Sequence, residues 1–287
     1  MGLIEGWDPI KIGIDPEIAH MGGLLLTWHG VFTAIGIALG VWVAVKMAAR
    51  VGFIEDVSYT IALVGVPAGI IGARVLFVAE NHSLFADRWL DVFRINEGGI
   101  SIYGAIIGGV LGGVAYGVWQ RLPIRAGLDA GAFGLILGQG IGRIGDIING
   151  EHFAKTTDLP WAFVYTHANS PSFSRAPQHP AAAYEFLGDL LIFGFLFLLW
   201  RFYKRDGLVF FSYAFLYSAM RVGISVLRLD DQVLWELKMA QVVALVVSGV
   251  SVLGFAYVLR QPPGRRTAEV AAVPPPAVGR AQAPPGG

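Results

Sequence analysis

The sequence predicts an all-α polytopic membrane protein of seven transmembrane helices, with the N-terminus outside and the C-terminus cytoplasmic. Three observations carry that prediction. The chain is 55% hydrophobic and 15% charged, whereas ordinary soluble domains carry about 25% charged residues. Apolar runs recur that are close to the ~20 residues a helix needs to cross a bilayer. Lysine and arginine also gather in alternate connections between those runs, which sets orientation by the positive-inside rule. The basic connections hold Lys46 and Arg50, then Arg121 and Arg125, then Arg201, Lys204 and Arg205, and finally Arg260, Arg265, Arg266 and Arg280. An odd number of spans puts the two termini on opposite sides, in agreement with the charge pattern.

The elements follow in order. Residues 1–23 include Glu5, Asp8, Asp15 and Glu17 with no basic start before an apolar core, so no cleavable signal peptide is expected. Span one, 24–46, opens at Thr27-Trp28-His29-Gly30, and span two, 57–79, carries Arg74 and is followed by Glu80-Asn81. Span three, 100–119, opens with Gly98-Gly99-Ile100-Ser101-Ile102-Tyr103-Gly104, where paired glycines let the backbone approach a neighbour closely. Span four, 130–148, runs into a stretch with glycines at 138, 140, 142, 145 and 150 and the charges Arg143, Asp146 and Glu151. Spans five, six and seven cover 182–200, 207–224 and 239–259. Residues 1–260 thus form one membrane domain. Residues 261–287 are rich in Pro, Ala and Gly and are expected to be a disordered cytoplasmic tail.

Glycines at four-residue spacing (36/40, 65/69, 104/108/112, 134/138/142) let helix backbones approach closely in lipid. They fit packing within the chain, with a dimer face as the alternative. The outer connections 80–99 and 149–181 are long and bear Trp89, Phe93, Trp161, Phe163, Tyr165 and Phe173. Long connections are more often functional than incidental, although such aromatics also suit an interfacial belt.

Charge at membrane depth is costly unless it faces a wet cavity or a partner. Arg143 and Asp146 share a helix face at i,i+3. Taken singly, Arg74, Arg143 and Arg221 fit structural pairs with Asp146, Glu151, Glu185 or Asp189. Three arginines near the outer ends of one bundle fit a phospholipid headgroup site, because the guanidinium fork gives paired hydrogen bonds to phosphate and keeps its proton. His29 is either an interfacial side chain or a proton-transfer group, and Tyr103 either a belt residue or a polar ring in the same pocket.

The absence of cysteine excludes disulfides, thiolate metal sites and a cysteine nucleophile. No spacing matches a zinc site, a P-loop or a dinucleotide fingerprint, so neither metal nor cofactor is expected. No basic, aromatic-interleaved soluble face suggests nucleic acid. A small transporter fits the composition, but its charges would lie near the midplane and its halves would repeat.

The run Gly142-Arg143-Ile144-Gly145-Asp146-Ile147-Ile148-Asn149-Gly150-Glu151 resembles the signature Gly-Arg-x-Gly-Asn-Phe-x-Asn-x-Glu of the prolipoprotein diacylglyceryl transferases. Further colinear matches are Trp28-His29-Gly30, Gly72-Ala73-Arg74, Gly98 to Gly104, Asp129, His179-Pro180-Ala181-Ala182-Ala183-Tyr184-Glu185, Tyr217 with Arg221 and Arg228, and Met239-Ala240-Gln241. The resemblance covers nearly all of the chain except the tail.

It implies a transferase of the bacterial cytoplasmic membrane that moves the diacylglyceryl group of phosphatidylglycerol to the lipobox cysteine of a preprotein. A thioether forms and glycerol phosphate leaves. The alternative is a relative that binds phospholipid or lipoprotein without turnover. The resemblance and the residues together nominate Arg143, Arg221, His29, Tyr103 and Glu151 as catalytic. They nominate Arg74, Gly98, Gly99, Gly104, Asp146, Asn149, Tyr184, Glu185 and Tyr217 as substrate-binding, with Asn149 and Glu151 orienting the arginines. The chain departs from the family pattern at His29 (usually tyrosine), Tyr103 (usually histidine), Asp146 (asparagine), Ala154 (glycine) and Ser225 (glutamate). The first two are reciprocal, so the rings are expected to face each other across the pocket, and Asp146 is expected to compete with phosphate for Arg143.

Overall fold

The computed structural model describes residues 8–22, 24–86, 88–94, 99, 101–230, 232–234 and 236–261. Gly98 and nearly all of the expected tail lie outside these residues. Seven long helices dominate: α1 Trp28–Ala49, α2 Glu55–Glu80, α4 Ile102–Trp119, α5 Ile124–Asn149, α6 Ala181–Phe202, α7 Leu208–Ser225 and α8 Met239–Arg260. A short helix, α3 His82–Phe85, and a 3-10 turn, Trp89–Phe93, follow α2. Among the described residues, six helices are long and apolar enough to cross a membrane. Their outward faces carry exposed Leu63, Ile71, Leu111, Leu191 and Leu253, a surface suited to lipid rather than water.

The exception is α5, which the sequence reading counts as span four from residue 130. It starts at Ile124, just after Pro123, and carries Arg125, Asp129, Arg143 and Asp146. Its neighbours explain how it tolerates them: α1, α6 and α7 pack around it, so it needs no lipid-compatible surface. Asp129 is fully buried and accepts the backbone amides of Gly207 and Phe210, each at 2.8 Å. One carboxylate thereby satisfies two donors that the start of α7 would leave without partners.

Glycine stripes set the two closest helix crossings. A Cβ added at Gly36 or Gly40 of α1 would lie 2.6 Å from the carbonyl oxygen of Gly138 or Gly134 on α5. A Cβ added at Gly69 would lie 3.0 Å from the Ala105 carbonyl oxygen, and Gly72 crosses Gly104 and Gly108, so α2 and α4 pair in the same way. Near the end bearing Lys46, Arg50 and Arg125, the apolar core gathers Met47, Val51, Phe53, Phe133, Leu196 and Val209.

The opposite end is closed by short strands, which the all-α expectation did not contain. β1 Ile10–Ile12 pairs in parallel with β4 Phe163–Tyr165. β2 Glu17–Met21 and β3 Leu24–Thr27 form an antiparallel pair, as do β5 Gln232–Leu234 and β6 Leu237–Lys238. None is long enough to show alternation in the sequence, and β1 meets β4 across more than half of the chain.

The segment after α5 also closes that helix. Gly150 takes the left-handed conformation at φ 73°, which glycine adopts without steric cost. The hydroxyls of Tyr165, Ser170 and Ser172 donate to the carbonyls of Ile147, Asn149 and Gly150 at 2.9, 2.8 and 2.6 Å. These bonds fix the last turn of α5, where the charged side chains sit.

Candidate functional site

Helical spacing places Arg143 and Asp146 on one face of α5. Arg143 Nη1 donates to Asp146 Oδ2 at 2.6 Å, and its Nη2 lies 2.6 Å from Glu185 Oε2 in the first turns of α6. Glu185 is fully buried. Its other oxygen accepts from Arg221 Nη1 of α7 and lies 3.6 Å from Arg228 Nη1. One carboxylate is thus shared by three guanidinium groups. A buried charge persists only with such partners, and here they come from separate segments, so the pairing also fixes how α5, α6 and α7 meet.

Asp146 is the second node. Oδ1 lies 2.6 Å from His29 Nδ1, while Oδ2 takes Arg143 and lies 3.1 Å from His152 Nε2. Arg228 Nη2 sits 3.1 Å from His152 Nδ1. Arg143 Nη1 also lies 3.3 Å from His152 Nε2, so guanidinium groups approach both ring nitrogens while Nε2 also faces Asp146. Close backbone approach makes the His29 contact possible: a Cβ on Gly145 would lie 2.6 Å from His29 Cα. Thr27 closes the start of α1 by accepting the Gly30 amide at 3.2 Å.

The groups form a continuous path. Tyr103 Oη accepts from Arg221 Nη2 at 3.1 Å; Arg221 reaches Glu185, Glu185 reaches Arg143, Arg143 reaches Asp146, and Asp146 reaches His29. His29 and Tyr103 therefore occupy the two ends of one chain of ion pairs. Among the described residues no hydrogen bond joins the two rings directly.

The other nominated residues divide. Asn149 Nδ2 donates to Glu151 Oε1 at 2.6 Å, a bond between themselves rather than one to an arginine. Tyr184 Oη accepts from Trp161 Nε1 at 2.7 Å, which ties the long outer connection to α6. Tyr217 stacks on Tyr213, whose hydroxyl donates to Gln139 Oε1 at 2.9 Å. Arg74 stands apart: it donates to the carbonyls of Val92, Gly99 and Asp91 at 2.7, 2.7 and 2.5 Å and clamps the connection before α4. Gly99 has φ 75°, and a Cβ there would meet the Phe77 ring at 2.6 Å. Gly104 serves the α2–α4 crossing.

Sequence reasoning missed His152, which bridges Asp146 and Arg228 and follows the signature directly. Beside it lies a small cleft of about 10 Å3 lined in part by Asp146, His152, Phe163, Tyr165, Gln178 and His179. Burial pushes the His179 imidazole below the usual histidine range, and Lys155 adds to this. Burial and the Asp146 charge push the Tyr165 phenol up. His29, Asp146 and Glu151 bring ligand-type atoms within 4.8 Å of one another. Both Asp146 oxygens are already engaged and a guanidinium adjoins them, which disfavours a cation at Asp146.

Residues 16–257 match the family model described as prolipoprotein diacylglyceryl transferase. The chain belongs to this family. It is 34% identical over 224 residues to the phosphatidylglycerol–prolipoprotein diacylglyceryl transferase of Clostridioides difficile, a match covering 78% of this chain and 87% of that one. With the protein of the same name from Thermosynechococcus vestitus the identity is 34% over 237 residues, covering 79% and 86%. With that from Dehalococcoides mccartyi it is 31% over 260 residues, covering 88% and 96%. For a diacylglyceryl transferase family member, the charged path lies where the signature run meets α6 and α7.

Proposed function

We propose that the protein transfers the diacylglyceryl group of phosphatidylglycerol to the lipobox cysteine thiol of prolipoproteins, at the outer face of the bacterial cytoplasmic membrane. The N-terminus is then outside and the C-terminus in the cytoplasm. Phosphatidylglycerol and a prolipoprotein appear in the names of the relatives, and the positive-inside pattern supports the orientation. The single observation that carries the reading is the convergence of Arg143 and Arg221 on Glu185. Two guanidiniums held side by side at one end of a membrane bundle form an anion-binding fork.

In the reaction, the thiol sulfur attacks the glyceryl carbon bonded to the phosphate oxygen. The carbon–sulfur bond forms as the carbon–oxygen bond breaks, and glycerol phosphate leaves with the electron pair and added negative charge. Donors already in place for that charge lower the barrier most, and Arg143 and Arg221 fill this role. Tyr103 and His29, at the two ends of the path, flank the reacting atoms. Asn149, Glu151, Tyr184 and Tyr217 shape the pocket around the lipid and the peptide.

A binding-only relative is the second reading, favoured by one observation. Both terminal nitrogens of Arg143 are taken by Asp146 and Glu185, so a phosphodiester must displace or share them. A test separates the two. Purified protein in phosphatidylglycerol liposomes is given a synthetic lipobox peptide, and the peptide is weighed. A gain of one diacylglyceryl group supports the transferase; an unchanged peptide, with lipid bound to folded protein, supports the binding-only relative.

A further inference from the structure

Resting on the transferase reading, we infer that His29 takes the thiol proton in this chain and that Asp146 is the residue positioning it. The base must present a lone pair to the substrate, which an imidazole in its neutral form does. His29 Nδ1 lies 2.6 Å from Asp146 Oδ1. Asp146 is ionised beside Arg143 and can only accept, so Nδ1 carries the proton. In the neutral ring Nε2 then keeps its lone pair. The His29 side chain is 42% exposed while Asp146 is 3% exposed: the imidazole has an accessible side, and its anchor is inside.

The charges facing this imidazole come from Asp146 and Arg143 on α5 and from Glu151 just beyond it. Arg143 is directed at Asp146 Oδ2 and Glu185, and His152 also meets Oδ2, so Oδ1 remains for His29. The two carboxylates favour the imidazolium that forms on proton transfer. Tyr103 is placed less well for the task. Its oxygen accepts from Arg221, so a guanidinium already engages the lone pair that a base would offer to the thiol.

The step balances within the proposed reaction. The S–H proton moves to His29 Nε2, and the thiolate forms the carbon–sulfur bond as the carbon–oxygen bond breaks. The phosphate oxygen keeps the bonding pair. The imidazolium then passes its proton to the departing phosphate monoester, which restores the neutral ring. Asp146 touches no reacting atom; it holds the tautomer and the ring orientation, as a carboxylate does for the histidine of a hydrolytic triad.

The test is the transfer rate against pH, with phosphatidylglycerol liposomes and a lipobox peptide, for wild type, His29→Phe, His29→Gln and Asp146→Asn. Wild type is expected to show an acid limb set by an imidazole. Both His29 variants should fall roughly 10²-fold or more at neutral pH, the scale of a lost general base, and regain rate as the thiol ionises by itself near about 8.5. Asp146→Asn should keep a limb but move it to lower pH, and the downfield Nδ1 proton of His29 in a nitrogen-labelled sample should weaken. Phosphatidylglycerol binding by each variant reports that it is folded.

A His29 variant that keeps the wild-type rate and limb overturns the base assignment alone. An unchanged profile and Nδ1 proton in Asp146→Asn overturns the positioning role. No transfer by folded wild type at any pH overturns the transferase reading, and this assignment with it.

Discussion

His29 Nδ1 and Asp146 Oδ1 meet at 2.6 Å across 117 residues of sequence. Both positions depart from the family pattern of tyrosine and asparagine, and the two departures form a single hydrogen bond. A tyrosine hydroxyl with an asparagine amide is the neutral counterpart of this histidine–carboxylate pair. The double variant His29→Tyr with Asp146→Asn is therefore expected to transfer faster than the product of the single effects predicts. Contacting residues couple by about 0.5–3 kcal/mol, and a double-mutant cycle on transfer rates measures it. Strict additivity would show that the pair does not act together.

Glu185→Gln is expected to cost more stability than any other single change at the site. It would leave Arg143 and Arg221 buried without their common counter-charge, and breaking a buried pair costs about 3–5 kcal/mol. Thermal unfolding in detergent should show a midpoint several degrees below wild type. A wild-type midpoint would mean that the arginines find other partners.

Gly104→Leu is expected to disrupt the α2–α4 crossing, because Gly72 backbone occupies the space a side chain would need. Overpacking of this kind costs about 1–3 kcal/mol. Gly194→Leu is the control, since nothing lies within 4 Å of a Cβ built there. Thermal unfolding of the two variants should differ in that order.

Arg74→Ala is expected to loosen the connection whose carbonyls it holds at Asp91, Val92 and Gly99. Limited proteolysis should cut between α2 and α4 faster than in wild type, while phosphatidylglycerol binding is kept. Loss of lipid binding with unchanged proteolysis would instead make Arg74 a headgroup ligand.

Much of the architecture was legible in the sequence because lipid imposes simple rules. Apolar runs and alternating basic connections gave seven helices, with boundaries displaced by a few residues. The start of α5 was missed because Arg125 and Asp129 interrupt hydropathy, and hydropathy is blind to a carboxylate that caps another helix. The short strands were missed because their pairing is long-range: nothing near Ile10 announces Phe163. At the site, Arg143, Asp146, Glu185 and Arg221 were named and do converge. Asp146 was read as a pair for Arg143, as a rival for it against phosphate and as substrate-binding; its second oxygen goes to His29, a contact set by the close backbone approach at Gly145. His152 carried no motif spacing and was overlooked.

Arg143 joins the two nodes of the path, Asp146 and Glu185, and the account depends on it most. The decisive measurement is the initial rate of peptide diacylglyceryl transfer from phosphatidylglycerol, for wild type and Arg143→Ala side by side, each shown folded by its unfolding midpoint. The account predicts measurable wild-type transfer with one glycerol phosphate released per peptide modified. It predicts a loss of roughly 10²–10³-fold in the variant, the scale of removing one donor to developing charge. Equal rates would contradict it and leave Arg143 a structural partner of Asp146 and Glu185.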